Sequence, residues 1–211
     1  MSIYLIRHGL SKGNAQGVGQ GLLDYPLTDL GRRQAAAVGA WLAERGVRPA
    51  VVYTSPLLRA RMTAQEIAAA LALAEPIERA ELREYSLGEL EGKTKAEATA
   101  RFPNFPNRNL AELIDFAPYG GESRESVQQR LQGFIALIEG QHKAEDVVAV
   151  GHGGSLYQLI SLWCARPVPE HIFIRLANCC CLKLELCEIG GHPVAQIQWY
   201  ATLELIAPEL S

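Results

Sequence analysis

His8 stands between Arg7 and Gly9, and His152 between Gly151 and Gly153. Histidine ordinarily titrates close to neutrality, so a neutral imidazole is available there as nucleophile or base. With one ring nitrogen fixed by a hydrogen bond, His8 could attack phosphorus with the other. A phosphohistidine splits one difficult displacement into two easier ones. The transition state of such a transfer spreads charge over the phosphoryl oxygens, so it needs cations around it, and arginine's planar fork suits those oxygens. Arg7 ends an apolar run, where burying a guanidinium calls for an anion. A second arginine such as Arg59 and a carboxyl group such as Glu84 would complete the set. The acid protonates the leaving alkoxide, a role typically worth roughly 10²–10⁴-fold in rate, and the carboxylate then takes a proton from water. Composition alone does not choose these two. Arg61 lies beside Arg59 on the same segment, and Glu81, Glu89 and Glu91 compete with Glu84. The chain has no His-Glu-x-x-His and no acidic cluster of the kind magnesium needs, so chemistry without a metal or cofactor is expected.

The elements that must position these groups alternate in an α/β pattern. Residues 2–7 read as a buried strand ending in Arg7-His8-Gly9. Residues 9–27 carry five glycines and little periodicity, so a long loop is expected, and loops of that length are usually functional. Thr28 caps a helix that ends near Gly46, with Leu30, Ala37, Val38, Trp41 and Leu42 as its apolar stripe. Val51 to Thr54 is a second strand. Ser55-Pro56 then reads as a helix start, with a hydroxyl cap before proline at the first helical position. Ile77 to Leu82 is expected as a third strand. A cap excursion is expected around 88–121, its proline-rich part at 103–121. Ser123 opens a helix through Val127, Leu131, Phe134 and Leu137. Asp146 to Gly151 is the most apolar strand, a helix follows from about 154 to 163, and late strands lie around 179–187 and 194–202. Both glycine-flanked histidines fall just past strand ends, where open α/β sheets place ligands.

A length of 211 residues with 48% apolar composition suits one domain, 1–211, with a small cap. A net charge of -3 gives no sign of a polyanion-binding surface, so no nucleic-acid partner is expected. No stretch is apolar enough for a membrane span or a secretory signal. The five cysteines, at 164, 179, 180, 181 and 187, make a poor disulfide framework and point to reduced thiols in the cytoplasm. Adjacent strand residues face opposite ways, so Cys179, Cys180 and Cys181 cannot converge on one metal ion. That late strand could be interior or an interface edge, as in a homodimer. His142, His171 and His192 lie in polar or proline-flanked surroundings and are expected at the surface.

Six ordered blocks resemble the histidine phosphatase superfamily in its phosphoglycerate mutase-like branch. The first is Leu5-Ile6-Arg7-His8-Gly9, continuing through Asn14 and Gln20-Gly21; the second is Pro26-Leu27-Thr28-Asp29-Leu30-Gly31. Ser55-Pro56-Leu57 with Arg59-Ala60 and Thr63-Ala64 is similar to the segment that carries the family's second phosphate arginine. Leu82-Arg83-Glu84 with Gly88 and Glu91-Gly92 is similar to the proton-donor segment, and Gly120-Gly121-Glu122-Ser123 and Val150-Gly151-His152-Gly153 match the last two. The resemblance implies a three-layer α/β/α sandwich with a mixed, mostly parallel sheet and a small cap. It implies His8, Glu84 and His152 as catalytic residues. Arg7, Arg59, Asn14, Ser11, Gln20, Gly21 and Gly153 would hold a small phosphorylated substrate. The chain departs from the pattern at Leu10-Ser11, where the family often has glutamate before a hydroxyl residue.

The activity so implied is phosphomonoester hydrolysis through a phosphohistidine on His8. The alternatives are a cofactor-dependent phosphoglycerate mutase and a silent phospho-ligand binder. The mutases resembling this chain carry paired arginines in a longer insert, tyrosine where Leu87 stands and asparagine where Gly154 stands. Here residues 101–117 offer only Arg101 and Arg108. Lys95, near a position where mutases bind substrate, reads as a solvated lysine on a charged helix face.

Overall fold

Strand β1, Ser2–Arg7, has the sequence SIYLIR and buries both of its faces. Ile3 and Leu5 join one apolar cluster, while Tyr4 and Ile6 join another. A strand covered on both sides reads as a continuous apolar run rather than an alternating one. The computed structural model describes residues 1–105, 115–164, 176–189 and 192–211. In chain order the elements are β1, α1 (Lys12–Ala15), α2 (Asp29–Glu44), β2 (Val51–Thr54), α3 (Leu58–Ala70), β3 (Ile77–Glu78) and α4 (Lys95–Arg101). They continue with α5 (Arg124–Gln141), β4 (Val147–Gly151), α6 (Gly153–Trp163), β5 (Cys181–Ile189), β6 (His192–Ala201) and α7 (Leu203–Ile206).

The strands form one sheet in the order β3-β2-β4-β1-β5-β6. The pairs β2/β3, β2/β4 and β1/β4 are parallel, while β1/β5 and β5/β6 are antiparallel. Helices α5 and α6 pack on one face through Val127, Leu131, Phe134, Leu156 and Ile160. Helices α2 and α3 cover the other through Val38, Trp41, Leu42, Ala64 and Ile67. This is the expected α/β/α sandwich with its mixed sheet.

Several local expectations change. The 9–27 loop contains α1, which Ser11 opens by accepting from Asn14 N–H at 3.1 Å. The third strand is only Ile77–Glu78, and residues 80–82 turn as a 3₁₀ segment instead. Helix α3 starts at Leu58, later than Ser55-Pro56 suggests, and has no side-chain cap. In α2 the fully buried stripe is Ala35, Val38 and Leu42, with Leu30 and Ala37 only half-buried. Strand β5 lies between β1 and β6, and Cys179, Cys180 and Cys181 are fully buried, so the cysteine-rich segment is interior and not an interface edge. His142 is buried rather than at the surface, bonded to Tyr53 Oη at 2.8 Å and Glu145 at 3.1 Å. His171, the His192 side chain and Arg108 lie outside the described residues. Among the described residues, no helix is long and apolar enough to cross a membrane.

Candidate active site

The parallel pairing of β1 with β4 sets Arg7 opposite Gly151. The next residue of each chain segment is a histidine, so sheet register alone makes His8 and His152 neighbours. Their ring centroids are 5.1 Å apart. His8 N–H donates to Gly151 carbonyl at 3.0 Å and extends the ladder by one step.

His8 is buried, and its Nδ1 lies 2.8 Å from the carbonyl oxygen of Gly9. A carbonyl oxygen only accepts, so Nδ1 carries the proton and Nε2 presents a lone pair. Burial, then the charges of Arg7 and Arg59, push the His8 pKa well below its ordinary 6.5, which keeps the ring neutral. Gly9 is required on packing grounds, because a β-carbon there would lie 2.5 Å from Gly31 carbonyl oxygen. Gly9 N–H donates to Thr63 Oγ1 at 3.0 Å, and Thr63 in turn donates to Arg59 carbonyl at 2.7 Å.

His152 is fully buried, with Nε2 2.8 Å from Ser55 Oγ, while its Nδ1 has no hydrogen-bond partner among the described residues. Burial comes first among the causes that depress its pKa, followed by Arg59, His8, Arg7 and Arg130. Ser55 is therefore no helix cap. It accepts from Leu57 N–H at 3.2 Å and orients the second histidine.

Arg59 is among the largest fully buried side chains of the described chain, 1% exposed. It donates to Leu23 carbonyl and to Gly21 carbonyl, both at 2.8 Å. Burial lowers its pKa, with Glu84 and Asp24 opposing that shift. Arg61, two residues along the helix, points away and pairs at the surface with Glu78 at 3.3 Å. Arg7 donates to Leu176 carbonyl at 2.6 Å, and Gly153 packs against it, since a β-carbon there would sit 3.6 Å from Arg7 Nε.

Glu84 receives N–H bonds from Tyr85 (3.1 Å), Gly154 (3.1 Å) and Ser155 (3.0 Å), the last two from the first turn of α6. That turn also contributes the positive end of the helix dipole. A β-carbon at Gly154 would lie 2.6 Å from Glu84 Oε1 and 2.9 Å from the Tyr85 ring, so the carboxylate occupies the room that glycine leaves. Arg130 of α5 holds the segment from behind, donating to Glu84 carbonyl at 3.1 Å and pairing with Glu122 at 3.2 Å. Of the competing acids, Glu89 pairs with Arg101 at the surface, and Glu91 accepts from Leu22 N–H (3.1 Å) and Leu87 N–H (3.0 Å).

Arg7, His8, Asn14, Gln20, Gly21, Arg59, Glu84 and Gly154 all line one cavity of about 470 Å³. Ser11 does not line it. Its hydroxyl is fully buried, bonding Gln20 Oε1 at 2.8 Å and Asn14 Oδ1 at 2.9 Å, so it orients those two amides. A larger cavity of about 690 Å³ lies elsewhere, beside Met1, His142, Trp163 and Cys187, away from this chemistry. Among the described residues, no group of three His, Cys, Asp or Glu is placed to hold a metal ion. Burial raises the pKa of all three thiols at 179–181, so they are poor nucleophiles.

One contributor carried no sequence signal. Asn178 Nδ2 donates to His8 carbonyl (2.9 Å), Gly9 carbonyl (3.2 Å) and Asn14 Oδ1 (3.2 Å). It precedes Cys179, whose φ of 53° puts a non-glycine residue in the left-handed region. Cys179 N–H donates to Arg7 carbonyl at 3.0 Å. A segment about 170 residues away thus braces the His8 loop, and only its fold, not a motif, reveals it.

The chain is similar to known proteins in sequence and in fold. The family model described as histidine phosphatase superfamily (branch 1) matches residues 3–196. A metal-independent phosphoserine phosphatase of Arabidopsis thaliana is 36% identical over 73% of this chain, which spans 65% of that protein. A 2,3-bisphosphoglycerate-dependent phosphoglycerate mutase of Azorhizobium caulinodans is 33% identical, covering 82% of this chain and 85% of its own length. In structure, a mycobacterial glucosyl-3-phosphoglycerate phosphatase solved with VO3 superposes with a TM-score of 0.84 at 29% identity, over 95% of this chain and 99% of that one. With paired histidines beyond adjacent parallel strands, two arginines about them and a family model matching nearly the whole length, the chain belongs to the histidine phosphatase superfamily.

Proposed function

We propose that the protein is a metal-independent phosphomonoesterase that turns over a small phosphorylated molecule through a phosphohistidine on His8. The observation that carries this reading is the fixed tautomer. Nδ1 is committed to Gly9 carbonyl, which leaves a neutral, buried Nε2 beside two arginines. The substrate dianion binds between Arg7 and Arg59, with Asn14, Gln20 and an N–H of His152 completing its hydrogen bonds. Nε2 forms a bond to phosphorus as the ester P–O bond breaks, and Glu84 gives its proton to the departing alkoxide. In the second half, water attacks phosphorus, Glu84 accepts its proton, and the P–N bond breaks to restore neutral His8. Phosphatases among the relatives and structural neighbours support the hydrolytic outcome. Leu87 and Gly154, in place of the mutase tyrosine and asparagine, weigh against returning the phosphoryl group to a bound intermediate. Free thiols suit a reducing compartment such as the cytoplasm.

The test is turnover of p-nitrophenyl phosphate in EDTA, with acid-labile labelling of the intermediate. Activity should survive chelation, and His8→Ala should lower kcat by roughly 10³-fold or more. Loss of activity on chelation, label on another residue or an undiminished variant would overturn the reading. Interconversion of 3- and 2-phosphoglycerate that depends on 2,3-bisphosphoglycerate would instead establish the mutase.

A further inference from the structure

The cavity is lined by two unlike sets of groups. One is charged or amide: Arg7, His8, Asn14, Gln20, Arg59 and Glu84, with Arg7 and Arg59 acting on His8. The other is Val18, Tyr85, Leu87, Phe116 and Tyr157, of which Tyr85 and Phe116 stack and Leu87 packs in the same apolar cluster. A phosphate alone fills a small part of about 470 Å³, so the alcohol half of the ester must lie against that second set.

This wall is built, not incidental. Tyr85 is 1% exposed and stacks edge-on with Phe116, ring centroids 5.5 Å apart. Phe116 N–H donates to Glu122 carbonyl at 3.0 Å, and Glu122 N–H donates to Ser86 carbonyl at 2.9 Å. Ser86 N–H donates to Glu122 Oε2 at 2.9 Å, and Leu87 N–H to Glu91 Oε1 at 3.0 Å. Gly121 and Gly88 let the two backbones touch: a β-carbon at either would collide with Ser86 or Tyr119 carbonyl oxygen respectively. Tyr85 and Phe116 are thus locked into one surface before any ligand arrives.

Among the described lining residues the cations are Arg7 and Arg59, which bear on His8, and Glu84 directly precedes Tyr85. Three described cations of this part of the chain are engaged elsewhere or exposed. Arg101 pairs with Glu89, Arg130 pairs with Glu122, and Lys95 is exposed at the start of α4. A carboxylate or second phosphate on the alcohol would lose its water against aromatic rings and face Glu84. A neutral hydrocarbon body would instead gain by leaving water.

Resting on the phosphomonoesterase reading, we infer that the substrate is the monoester of an uncharged alcohol with an aromatic or branched aliphatic body. That sets it apart from the acidic alcohols in the names of its phosphoserine and phosphoglycerate relatives. The test compares 2-phenylethyl phosphate with O-phosphoserine and 3-phosphoglycerate. All are alkyl esters, so leaving-group chemistry differs little. The wild-type kcat/KM should favour the phenylethyl ester by about 100-fold. Leu87→Arg should narrow the gap by roughly tenfold from each side, raising 3-phosphoglycerate and lowering the phenylethyl ester. Should that variant not fold, Phe116→Ala should lower kcat/KM for the phenylethyl ester about tenfold more than it lowers that for phosphoserine. Equal or better hydrolysis of either acidic ester by the wild type overturns the inference alone. No hydrolysis of any ester, with His8→Ala indistinguishable from wild type, overturns the hydrolase reading and this inference with it.

Discussion

Nδ1 of His8 can only donate to the Gly9 carbonyl, so the reactivity of the nucleophile is decided by a backbone oxygen. That oxygen has a second lone pair, and Asn178 Nδ2 reaches it at 3.2 Å while also holding His8 carbonyl at 2.9 Å. Asn178 touches neither phosphorus nor leaving group, so it is a positioning residue. Asn178→Ala should leave KM within about twofold and lower kcat by roughly 10- to 100-fold, because small misplacements of a nucleophile are costly. Nitrogen NMR of the His8 ring gives a readout that a merely structural role would not move. The wild type should show protonated Nδ1 and bare Nε2, and the variant a mixture of both tautomers. An unmixed spectrum with normal kcat would remove Asn178 from this role. At this scale the sequence is informative where chemistry repeats a motif, as at His8, His152, Arg7 and Arg59. It is silent on Asn178 and casts Ser55 as a helix cap, because ordinary polar residues gain their roles only from what the fold brings against them.

Elements, rather than side chains, account for how the site is assembled. Register between β1 and β4 delivers both histidines, the first turn of α6 delivers two donors to Glu84, and α5 delivers Arg130 behind it. The apolar runs that become β1, β2 and β4 are legible because strands buried on both faces leave continuous hydrophobic sequence. Edge elements are not, and β3 is only two exposed residues, with Ile77 46% exposed. Helix ends divide the same way. Gly46 ends α2 at φ 70°, as its type suggests, but α3 ends at Ala72 with φ 54°. Ala72 N–H bonds Ala69 carbonyl at 3.1 Å, and Leu73 N–H bonds Ala68 carbonyl at 2.9 Å, the pattern that glycine normally closes. Ala72→Gly should therefore stabilise the fold by about 1 kcal/mol, since it removes the β-carbon clash of the left-handed region. For a chain of this length that is a rise in Tm of about 2–4 °C by calorimetry. Activity should be unchanged, and an unchanged or lowered Tm would show that the turn carries no such strain.

Across the whole molecule, two buried neutral histidines sit beside two arginines in a chain whose net charge is only -3. The folded state holds protons on His8 and His152 more weakly than the unfolded chain does, because burial and the neighbouring guanidinium charges oppose the imidazolium. Their contribution to stability is therefore complete above the ordinary histidine pKa of 6.5 and is lost as pH falls from there towards the depressed folded values. The slope is at most about 1.4 kcal/mol per pH unit for each histidine. Urea unfolding at pH 7.5 and 5.5 should show the loss, and His8→Gln should remove up to half of this histidine-linked part of the slope. Inorganic phosphate at saturating concentration should oppose the loss. An anion between Arg7 and Arg59 offsets the positive field that keeps the rings neutral, so the folded state can accept protons more readily. The same anion binds only the folded chain, which raises stability at both pH values. If the slope between these pH values is the same in wild type and His8→Gln, then burial and the two arginines do not weaken the hold of the folded state on the His8 proton, and the neutral nucleophile loses its basis.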